Sequence, residues 1–356
     1  MGFRVQRRPA IVHEDNSQRL SNRTTTLSKR VLICGISGQD GTYLAKLLLE
    51  RGFEVWGSSR DAEQTSFHNA RQLGIYDSLH LVSLNLRDVG STIGILQRIR
   101  PQQVYNLTGQ SSVGLSFEQP VETVESIALG TLNLLESIRL TNRDIRLYNA
   151  GSTECFGDTG EEVANETTRF NPRSPYAVAK ASAYWAVANY REAYELFACT
   201  GILSNHDSPL RPARFVTRKI IHGVASIAAG NETSLSLGNL DVERDWGWAP
   251  EYVEAISRML EQPTPEDYII ATGQSHTLTK FVATAFELIG KNWRDYVVAD
   301  QHLMRPTDIL KNKVDPSKAA HKLRWTARSG MKDVICMMLE AQLRDSRMVA
   351  PKYERG

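Results

Sequence analysis

The chain has few cysteines, no long apolar run and almost no net charge across its 356 residues. Four cysteines without C-x-x-C spacing argue against a disulfide framework and against structural zinc, so no metal is predicted. No apolar stretch approaches the roughly 18 residues that span a bilayer, which argues against a membrane partner. Lys and Arg number 42 against 40 Asp and Glu, a formal charge of +2, and 41% of the residues are hydrophobic. These proportions exclude a disordered chain and predict a globular protein of about two folding units.

The small net charge is unevenly distributed. Residues 1–30 carry seven basic and two acidic side chains, a net +5, which leaves −3 for residues 31–356. A mildly acidic body argues against nucleic-acid binding by the folded part. We predict a basic, disordered arm over residues 1–28 and a tail over residues 346–356. The arm lacks the apolar core of a secretory signal, so we expect a reducing, cytoplasmic environment.

Short apolar runs alternate with helical patterns in the first part of the body. This alternation predicts an α/β fold with a doubly wound parallel Rossmann sheet, which forms a first domain over residues 29–200. The pattern then loosens, which predicts a smaller C-terminal α/β substrate-binding domain over residues 201–345, with segments crossing back to the sheet. Strands are predicted at 30–34, 53–57, 80–84, 103–107, 145–149, 234–237 and 268–271. Helices are predicted at 43–50, 89–98, 121–140, 215–229, 251–260, 278–288 and 331–343.

A G-x-x-G-x-x-G turn of Gly35, Gly38 and Gly41 follows the first predicted strand and opens a helix. Glycines allow a tight turn and a close approach of the backbone to a pyrophosphate, so this context predicts dinucleotide binding rather than a purely structural turn. The second predicted strand leads to Arg60 without the usual ribose-binding acid. The guanidinium of Arg60 suits the 2′-phosphate of NADP, so NADP is predicted over NAD, and residues 29–200 are predicted to form an NADP-binding domain. In the alternative, Arg60 is a solvated loop residue and Asp61 binds the ribose.

Tyr176 and Lys180 lie four residues apart on one face of a helix predicted to begin near Pro175. A phenol with a pKa near 10 is a poor base at neutral pH. One positive charge at about 4 Å contributes roughly 4 kcal/mol at an effective dielectric of about 20. We therefore predict that Lys180, helped by the oxidised nicotinamide, lowers the pKa of Tyr176 into the working range for hydride chemistry at a carbinol. The alternative is a surface Tyr and Lys on an amphipathic helix.

Ser152 and Glu154 follow the predicted strand that ends at Asn149. The Ser152 hydroxyl can bind a substrate oxygen, and the carboxylate two residues later suits an elimination. Once C4 of a sugar is a ketone, the C5 proton becomes acidic, and a carboxylate can remove it and drive loss of the C6 hydroxyl. In the alternative, Glu154 caps a backbone turn.

Further motifs with a family signature occur throughout the body. They are Gly38-Gln-Asp-Gly41, Gly130-Thr-Leu, Asn171-Pro-Arg-Ser-Pro-Tyr-Ala-Val-Ala-Lys180, Tyr184-Trp, Asn189-Tyr-Arg-Glu192, Asn205-His206, Phe215-Val-Thr-Arg-Lys219, Leu237-Gly-Asn239 and Arg244-Asp-Trp-Gly247. With these motifs the chain resembles the GDP-mannose 4,6-dehydratase family of extended short-chain dehydrogenases/reductases, over residues 31–343.

The resemblance implies dehydration of GDP-mannose to GDP-4-dehydro-6-deoxy-D-mannose, with NADP regenerated in each turnover. It implies that Tyr176 takes the C4 hydroxyl proton and that Glu154 takes the C5 proton, while Ser152 binds the substrate. Besides the glycines, Arg60, Tyr176 and Lys180, the implied cofactor-binding residues are Gln39, Asp40, Asn85, Leu86, Leu107, His206 and Arg211. Besides Glu154, the implied substrate-binding residues are Ser111, Asn205, Lys219, Arg244, Arg305 and Asp308.

The chain departs from the family pattern in the loop over residues 207–214. In the family this loop reaches the cofactor site of a neighbouring subunit and helps to build a tetramer. Here Leu210 replaces an arginine and Ala213 replaces a glutamate, while Arg211 is kept. We expect a homodimer or a homotetramer, and the sequence leaves the choice between them open.

Other departures surround the hexose and the cofactor rim. Asn85 replaces an acid at the end of the third strand, Ser111 and Ser112 change the wall of the sugar pocket, and Asp308 is shorter than the family's glutamate. The alternatives are therefore a GDP-manno-heptose 4,6-dehydratase, or a nucleotide-sugar 4-reductase or epimerase of the same fold, which would not need Glu154. A non-catalytic NADP-binding scaffold would be expected to lose the Tyr/Lys pair.

Overall fold

The computed structural model describes residues 29–349, with side chains described as far as residue 344. The predicted arm over residues 1–28 and the end of the predicted tail, residues 350–356, lie outside the described part. No helix within the described range is long and apolar enough to cross a bilayer.

Strands and helices alternate along the described chain. The strands are β1 (Arg30–Cys34), β2 (Glu54–Ser59), β3 (His80–Ser83), β4 (Gln103–Asn106), β5 (Arg146–Ala150), β6 (Ala198–Leu203), β7 (Asn205–Asp207), β8 (Leu235–Leu237), β9 (Glu243–Trp248), β10 (Tyr268–Ile270), β11 (Ser275–Thr277) and β12 (Val297–Ala299). The helices are α1 (Gln39–Glu50), α2 (His68–Gln72), α3 (Val89–Ile99), α4 (Val113–Glu118), α5 (Pro120–Val124), α6 (Gly130–Thr141), α7 (Pro175–Tyr194), α8 (Val216–Ala228), α9 (Ala249–Glu261), α10 (Leu278–Glu287) and α11 (Met331–Val349). A π-helical turn, Glu125–Leu129, joins α5 to α6.

Seven strands form the central sheet in the order β10-β6-β5-β4-β1-β2-β3, and every neighbouring pair is parallel. Successive residues of β1 point to opposite faces: Val31 and Ile33 pack into one buried apolar cluster, and Leu32 and Cys34 into another. A strand buried on both faces has a continuous apolar sequence, as β1 does. The predicted doubly wound parallel sheet is confirmed.

The strand order reverses beside β1, which lies between β2 and β4. In an open parallel sheet, ligands bind in the crevice outside the carboxyl ends of the strands at this reversal. The glycine turn follows β1 at this point. The fold therefore directs the search for a site to this edge of the sheet.

The second half of the chain contributes both to the central sheet and to a smaller unit. The predicted division at residue 200 falls within β6, and β10 completes the sheet beside it. Helix α9 packs against α1 beside the sheet. The smaller unit consists of the sheets β11-β9-β7 and β12-β8, with α8, α10 and α11 around an apolar cluster that includes Trp246 and Phe281.

Several short elements escaped the sequence prediction, and β9 is the most informative. Its sequence, Glu-Arg-Asp-Trp-Gly-Trp, contains charges that argue against a buried strand, yet Arg244 and Asp245 are both buried. Each has polar partners from other parts of the chain, which offsets the cost of removing its charge from water: Arg244 lies beside Glu154 and Asp308, and Asp245 accepts from Ser204. No pattern within a single segment could predict those partners.

Candidate active site

A cavity of about 980 Å³ opens along the carboxyl ends of the central strands, between the sheet and the smaller unit. Every residue predicted for catalysis, cofactor binding or substrate binding lines it. These residues are Gly35, Gly38, Gln39, Asp40, Gly41, Arg60, Asn85, Leu86, Leu107, Ser111, Ser152, Glu154, Tyr176, Lys180, Asn205, His206, Arg211, Lys219, Arg244, Arg305 and Asp308. The described residues contain no group of three or more His, Cys, Asp or Glu that could hold a metal ion.

The three glycines of the first turn are required for different reasons. Gly35 has φ +88°, and a Cβ there would lie 2.8 Å from the Leu107 carbonyl oxygen. A Cβ on Gly41 would lie 2.5 Å from the Gly35 carbonyl oxygen. Gly38 is the N-cap of α1, and a Cβ there would contact only the Gly35 carbonyl oxygen, at an ordinary distance of 3.5 Å. The fold itself therefore needs Gly35 and Gly41, whereas Gly38 leaves backbone open on the cavity side, as the approach of a pyrophosphate requires.

Asp40, in the first turn of α1, pairs with His206 of β7 through Oδ2 and Nε2 at 2.9 Å. The Nδ1 of His206 donates to the Ser204 carbonyl at 2.7 Å, so the imidazolium is the form in which both ring nitrogens donate, with Nε2 donating to Asp40. Burial raises the pKa of Asp40, but the charge and hydrogen bond of His206 outweigh it and bring that pKa to about 2. Burial lowers the pKa of His206, but the charge and hydrogen bond of Asp40 raise this pKa by more, so it lies above the usual value. This ion pair connects the first turn of α1, at the end of the glycine turn, to β7 of the smaller unit.

Tyr176 and Lys180 lie one turn apart near the start of α7, where Pro175 is the first residue and the Ser174 hydroxyl caps the helix by accepting from the Ala177 N–H at 3.1 Å. The Lys180 ammonium donates to the Ala150 carbonyl at 2.6 Å and lies 5.8 Å from the centre of the Tyr176 ring. Burial raises the pKa of Tyr176 despite a hydrogen bond with Ser152, and burial lowers the pKa of Lys180 to about 8.

Without the nicotinamide, the pKa of Tyr176 is therefore raised, opposite to the direction predicted from Lys180, and the predicted help of the oxidised nicotinamide stays a prediction. Both groups are buried, so each loses the solvation of its charged form, and the ammonium is held against the end of β5. The predicted placement of the two side chains on one helix face is as expected, and the alternative of a surface pair is excluded because both are buried.

Glu154 belongs to a short 3₁₀ helix, Thr153–Phe156, that follows β5, and Ser152 is the N-cap of this helix. The Ser152 hydroxyl accepts from the Glu154 N–H at 3.2 Å and so caps this turn. The Glu154 carboxylate instead faces Arg244, with Oε1 and Nε 3.5 Å apart. Ser152 therefore caps this turn, and the Glu154 carboxylate faces the cavity and the guanidinium of Arg244.

Arg244 reaches the cavity from β9 and lies between two carboxylates. Its second contact is to Asp308, 3.9 Å away, and Asp308 also lies 3.6 Å from Arg305. One terminal nitrogen of Arg244 donates to the Glu243 carbonyl at 2.9 Å. Two guanidiniums at one wall of a deep cavity suit an anionic, phosphate-bearing ligand.

Arg211 lies at the cavity of its own chain. Its Nε is 3.1 Å from an oxygen of the buried Asp207, and its guanidinium stacks 3.8 Å from the centre of the Phe215 ring. Leu210, which replaces a family arginine, is buried. The altered loop therefore folds back onto the chain that carries it.

Comparison with known proteins places this constellation in a family. The model of the family described as GDP-mannose 4,6 dehydratase matches residues 32–338. The chain belongs to the GDP-mannose 4,6-dehydratase family. The predicted resemblance is thereby confirmed.

Relatives in this family come from several kingdoms. GDP-mannose 4,6 dehydratase 1 of Arabidopsis thaliana is 44% identical over 327 residues, which cover 88% of this chain and 90% of the relative. GDP-mannose 4,6-dehydratase of Vibrio cholerae is 41% identical, with coverages of 89% and 95%. The match therefore extends over nearly the whole length of both proteins.

Solved structures share the fold at low sequence identity. A dTDP-glucose 4,6-dehydratase of Bacillus anthracis in complex with NAD has a TM-score of 0.78 at 18% identity, covering 90% of this chain and 98% of that one. A UDP-glucose 4-epimerase of Thermus thermophilus in complex with NAD has a TM-score of 0.77 at 25% identity, with coverages of 88% and 98%. RMD of Pseudomonas aeruginosa complexed with NADPH has a TM-score of 0.73 at 20% identity, with coverages of 89% and 98%.

The cofactor end of the cavity in this family member fits a nicotinamide dinucleotide. The Arg60 side chain, just beyond β2, is 76% exposed and lies 3.3 Å from Glu122. Arg87, which the sequence analysis missed, also lines the cavity and pairs with Glu122 at 3.0 Å. Asp61 accepts from the N–H groups of Glu63 and Gln64 and does not line the cavity. The alternative in which Asp61 binds the ribose is therefore not supported by the geometry.

Asn312 is a second residue that the sequence analysis missed. Its buried side-chain amide donates to the carbonyls of Thr153 and Gly157, at 3.0 and 3.2 Å, on either side of Glu154. Its backbone N–H donates to the Glu243 carbonyl at 3.2 Å, directly before Arg244. Asn312 thus joins the two segments whose side chains meet in the cavity. A single asparagine between two lysines carries no sequence signal for this role.

Proposed function

We propose that this chain dehydrates GDP-mannose to GDP-4-dehydro-6-deoxy-D-mannose with a tightly held NADP. The observation that carries the proposal is the position of Glu154: it shares one cavity with Tyr176 and Lys180 and lies beside Arg244. An alcohol oxidation needs only the Tyr/Lys pair and a hydroxyl, whereas an elimination also needs a carboxylate base. The names of the relatives support GDP-mannose over the heptose, reductase and epimerase alternatives.

In this proposal Ser152 and Tyr176, which are hydrogen-bonded to each other, bind the C4 oxygen of the sugar. Tyr176, as the phenolate, takes the C4 hydroxyl proton, and Lys180, anchored to the Ala150 carbonyl, provides the neighbouring positive charge. A bound nicotinamide would supply hydride acceptance from C4 and hydride donation to C6. Glu154 takes the C5 proton on a carboxylate oxygen and passes it to the C6 hydroxyl, which leaves as water, and the proton held by Tyr176 is returned to C5 when C6 is reduced.

The choice of NADP over NAD is part of the proposal. Two arginines, Arg60 and Arg87, line the cavity near the end of β2, and the nearby acid, Asp61, is engaged with backbone N–H groups. A guanidinium binds a phosphate through charge-assisted bonds and gains little from a ribose hydroxyl. We expect Arg60→Ala to weaken NADP binding about tenfold and to leave NAD binding nearly unchanged. Calorimetric titration, with Arg143→Ala as an exposed control, tests this; equal losses for both cofactors would contradict it.

The proposed assembly is a homodimer or homotetramer, and a helical face supports the dimer. Helices α5, α6 and α7 and the π-helical turn between α5 and α6 pack together, and large apolar side chains on them are exposed: Val121, Leu129, Leu132, Val178 and Trp185. Exposed apolar surface on neighbouring helices favours association. Leu210 is buried and Arg211 contacts its own chain, so this part of the loop that builds the family's tetramer faces inward, whereas Pro212, Ala213 and Arg214 are exposed.

Light scattering of the purified protein checks the assembly. We expect a dimer that Trp185→Asp converts to a monomer, since Trp185 is 62% exposed in the single chain. A tetramer would favour the loop over residues 207–214 as a second interface.

A cytoplasmic location stays a prediction.

The reaction itself is tested by incubating the purified protein with GDP-mannose and no added cofactor. We expect a product lighter by one water, without net consumption of nicotinamide. We expect Glu154→Gln to reduce turnover by about 10²- to 10⁴-fold, the usual contribution of a positioned general base, and to leave NADP binding intact. Glu162→Gln, an exposed carboxylate outside the cavity, is the matched control. An unchanged sugar mass with bound NADP would favour a scaffold over an enzyme.

A further inference from the structure

Four side chains of alternating charge follow one another along the cavity wall: Glu154, Arg244, Asp308 and Arg305. Successive members are 3.5, 3.9 and 3.6 Å apart, and all but the exposed Arg305 are at least partly buried. The exposed fraction of the side chain is 12% for Glu154 and 7% for Arg244 and rises to 35% for Arg305. We call this set the charge row. It runs from the base in the proposed elimination towards solvent.

Arg244 is the most buried member and is held in two different ways. One terminal nitrogen donates to the Glu243 carbonyl at 2.9 Å, a normal hydrogen bond that anchors the guanidinium to β9. The other two nitrogens face Glu154 and Asp308 at 3.5 and 3.9 Å, longer than the roughly 2.8 Å of a charge-assisted hydrogen bond. The guanidinium is therefore fixed in position, but its contacts to the two carboxylates are loose.

A buried guanidinium needs a nearby negative charge, because desolvation of an unpaired ion is costly. In the free protein the two carboxylates meet this need. A phosphate oxygen that reaches the same nitrogens provides a stronger, hydrogen-bonded counter-charge. A carboxylate and a phosphate would then compete for the same face of Arg244.

We propose that Glu154 is the counter-ion of Arg244 in the free protein and that the diphosphate of the nucleotide sugar replaces it. Binding of the nucleotide then frees the Glu154 carboxylate to act as the C5 base. This inference rests on the proposed function, which assigns the base to Glu154 and the anionic ligand to Arg244. It adds that ligand binding and availability of the base are coupled through one guanidinium.

The coupling can be measured with GDP alone, without turnover. In calorimetric titrations we expect Glu154→Gln to tighten GDP binding by about threefold to tenfold, because a neutral amide competes less for Arg244. In an Arg244→Gln background the same change at Glu154 should alter GDP binding less than about twofold, so the double-mutant cycle isolates the pair. Glu162→Gln should leave GDP binding unchanged.

Guanosine provides a second measurement that does not depend on the Arg244 variant folding. Because guanosine lacks the diphosphate, Glu154→Gln should leave its affinity unchanged while GDP binding tightens. Equal responses of guanosine and GDP, or no tightening of GDP binding, would overturn the inference. So would the same tightening in both Arg244 backgrounds, since it would then be a general charge effect.

The inference and the proposed function fail in different ways. If the wild-type protein binds GDP and dehydrates GDP-mannose but shows no coupling, only the counter-ion role of Glu154 is lost. If the wild-type protein binds neither GDP nor GDP-mannose, the proposed function itself is lost.

Discussion

The cavity has two walls that are built in opposite ways. On the cofactor side, the turn from Gly35 to Gly41 depends on backbone that can approach closely, and its residues lie within a few positions of each other. On the opposite side, β9 and the segment over residues 305–312 bring together charged side chains that are far apart in the sequence. The first wall depends on the absence of side chains, and the second depends on pairs of charges that satisfy each other. Local sequence therefore describes the first wall well and the second poorly.

The largest expected effect separates two glycines of the cofactor wall. Gly41 lies in α1, where alanine is normally favoured, but its Cβ would lie 2.7 Å from the Ile36 Cα as well as 2.5 Å from the Gly35 oxygen. We expect Gly41→Ala to destabilise the protein by about 1–3 kcal/mol and to abolish NADP binding. Thermal unfolding and NADP titration measure the two effects.

Gly38→Ala is the matched comparison. Gly38 has φ −73°, which any residue adopts, and its Cβ would have an ordinary 3.5 Å contact. We expect stability within about 1 kcal/mol of the wild type but NADP binding weaker by about tenfold, because only the cofactor needs the open backbone there. Normal NADP binding by Gly38→Ala would remove the cofactor argument for this position, and a large loss of stability would show that the fold also needs it.

An intermediate effect is expected at the wall that carries the charges. Asn312→Ala leaves the carbonyls of Thr153 and Gly157 buried without their amide partner, at a cost of about 1–3 kcal/mol. We expect turnover to fall about tenfold through misplacement of Glu154, with NADP binding unchanged. Exchange of the C5 proton with deuterated water should slow in parallel with turnover.

The exposed Asn231→Ala is the control for Asn312. If Asn312→Ala slows turnover while C5 exchange stays at the wild-type rate, the asparagine does not act through the position of Glu154. If Asn312→Ala weakened NADP binding as much as it slowed turnover, the two walls would not be independent.

The last expected effect is on stability alone and concerns the Asp40–His206 pair, which joins the glycine turn to β7. The lowered pKa of Asp40 contributes about 2 kcal/mol that is present above pH 4 or so and lost as the pH falls to about 2. The raised pKa of His206 contributes stability that is present below pH 6.5 or so and lost as the pH rises through the raised value. We therefore expect His206→Gln to lower the melting temperature most between about pH 4.5 and 6, and less in alkaline solution.

Melting curves across this pH range test the pair, with the exposed His222→Gln as the control. A loss of stability that is the same at every pH would mean that packing of the ring against Tyr252, 4.6 Å away between ring centres, matters more than its charge.

Sequence patterns predicted much of the fold because its strands are buried on both faces and therefore have continuous apolar sequences. β1 was predicted with its observed bounds, Arg30–Cys34. β9 was missed because its charges contradict strand propensity, and their partners come from other segments. The predicted helix over residues 121–140 is in fact α5, a π-helical turn and α6, since apolar spacing alone does not reveal a local change of helical pitch.

Within the candidate site, sequence patterns alone were enough to identify the residues whose chemistry depends on local spacing. These include the glycines of the turn, the Tyr176 and Lys180 pair on one helix face, and Glu154 two residues after Ser152. The family motifs added residues such as Arg244 and His206, but not their contacts.

The groups that those side chains face follow from the tertiary structure. Arg244 meets Glu154 from 90 positions away in the chain, and Asn312 reaches Thr153 across 159 positions. Burial also raises the pKa of Tyr176 in the absence of the cofactor, opposite to the direction predicted from the neighbouring Lys180. The physical reason is the same in each case: spacing within one element follows from backbone geometry, whereas desolvation and ion pairing depend on segments that only folding brings together.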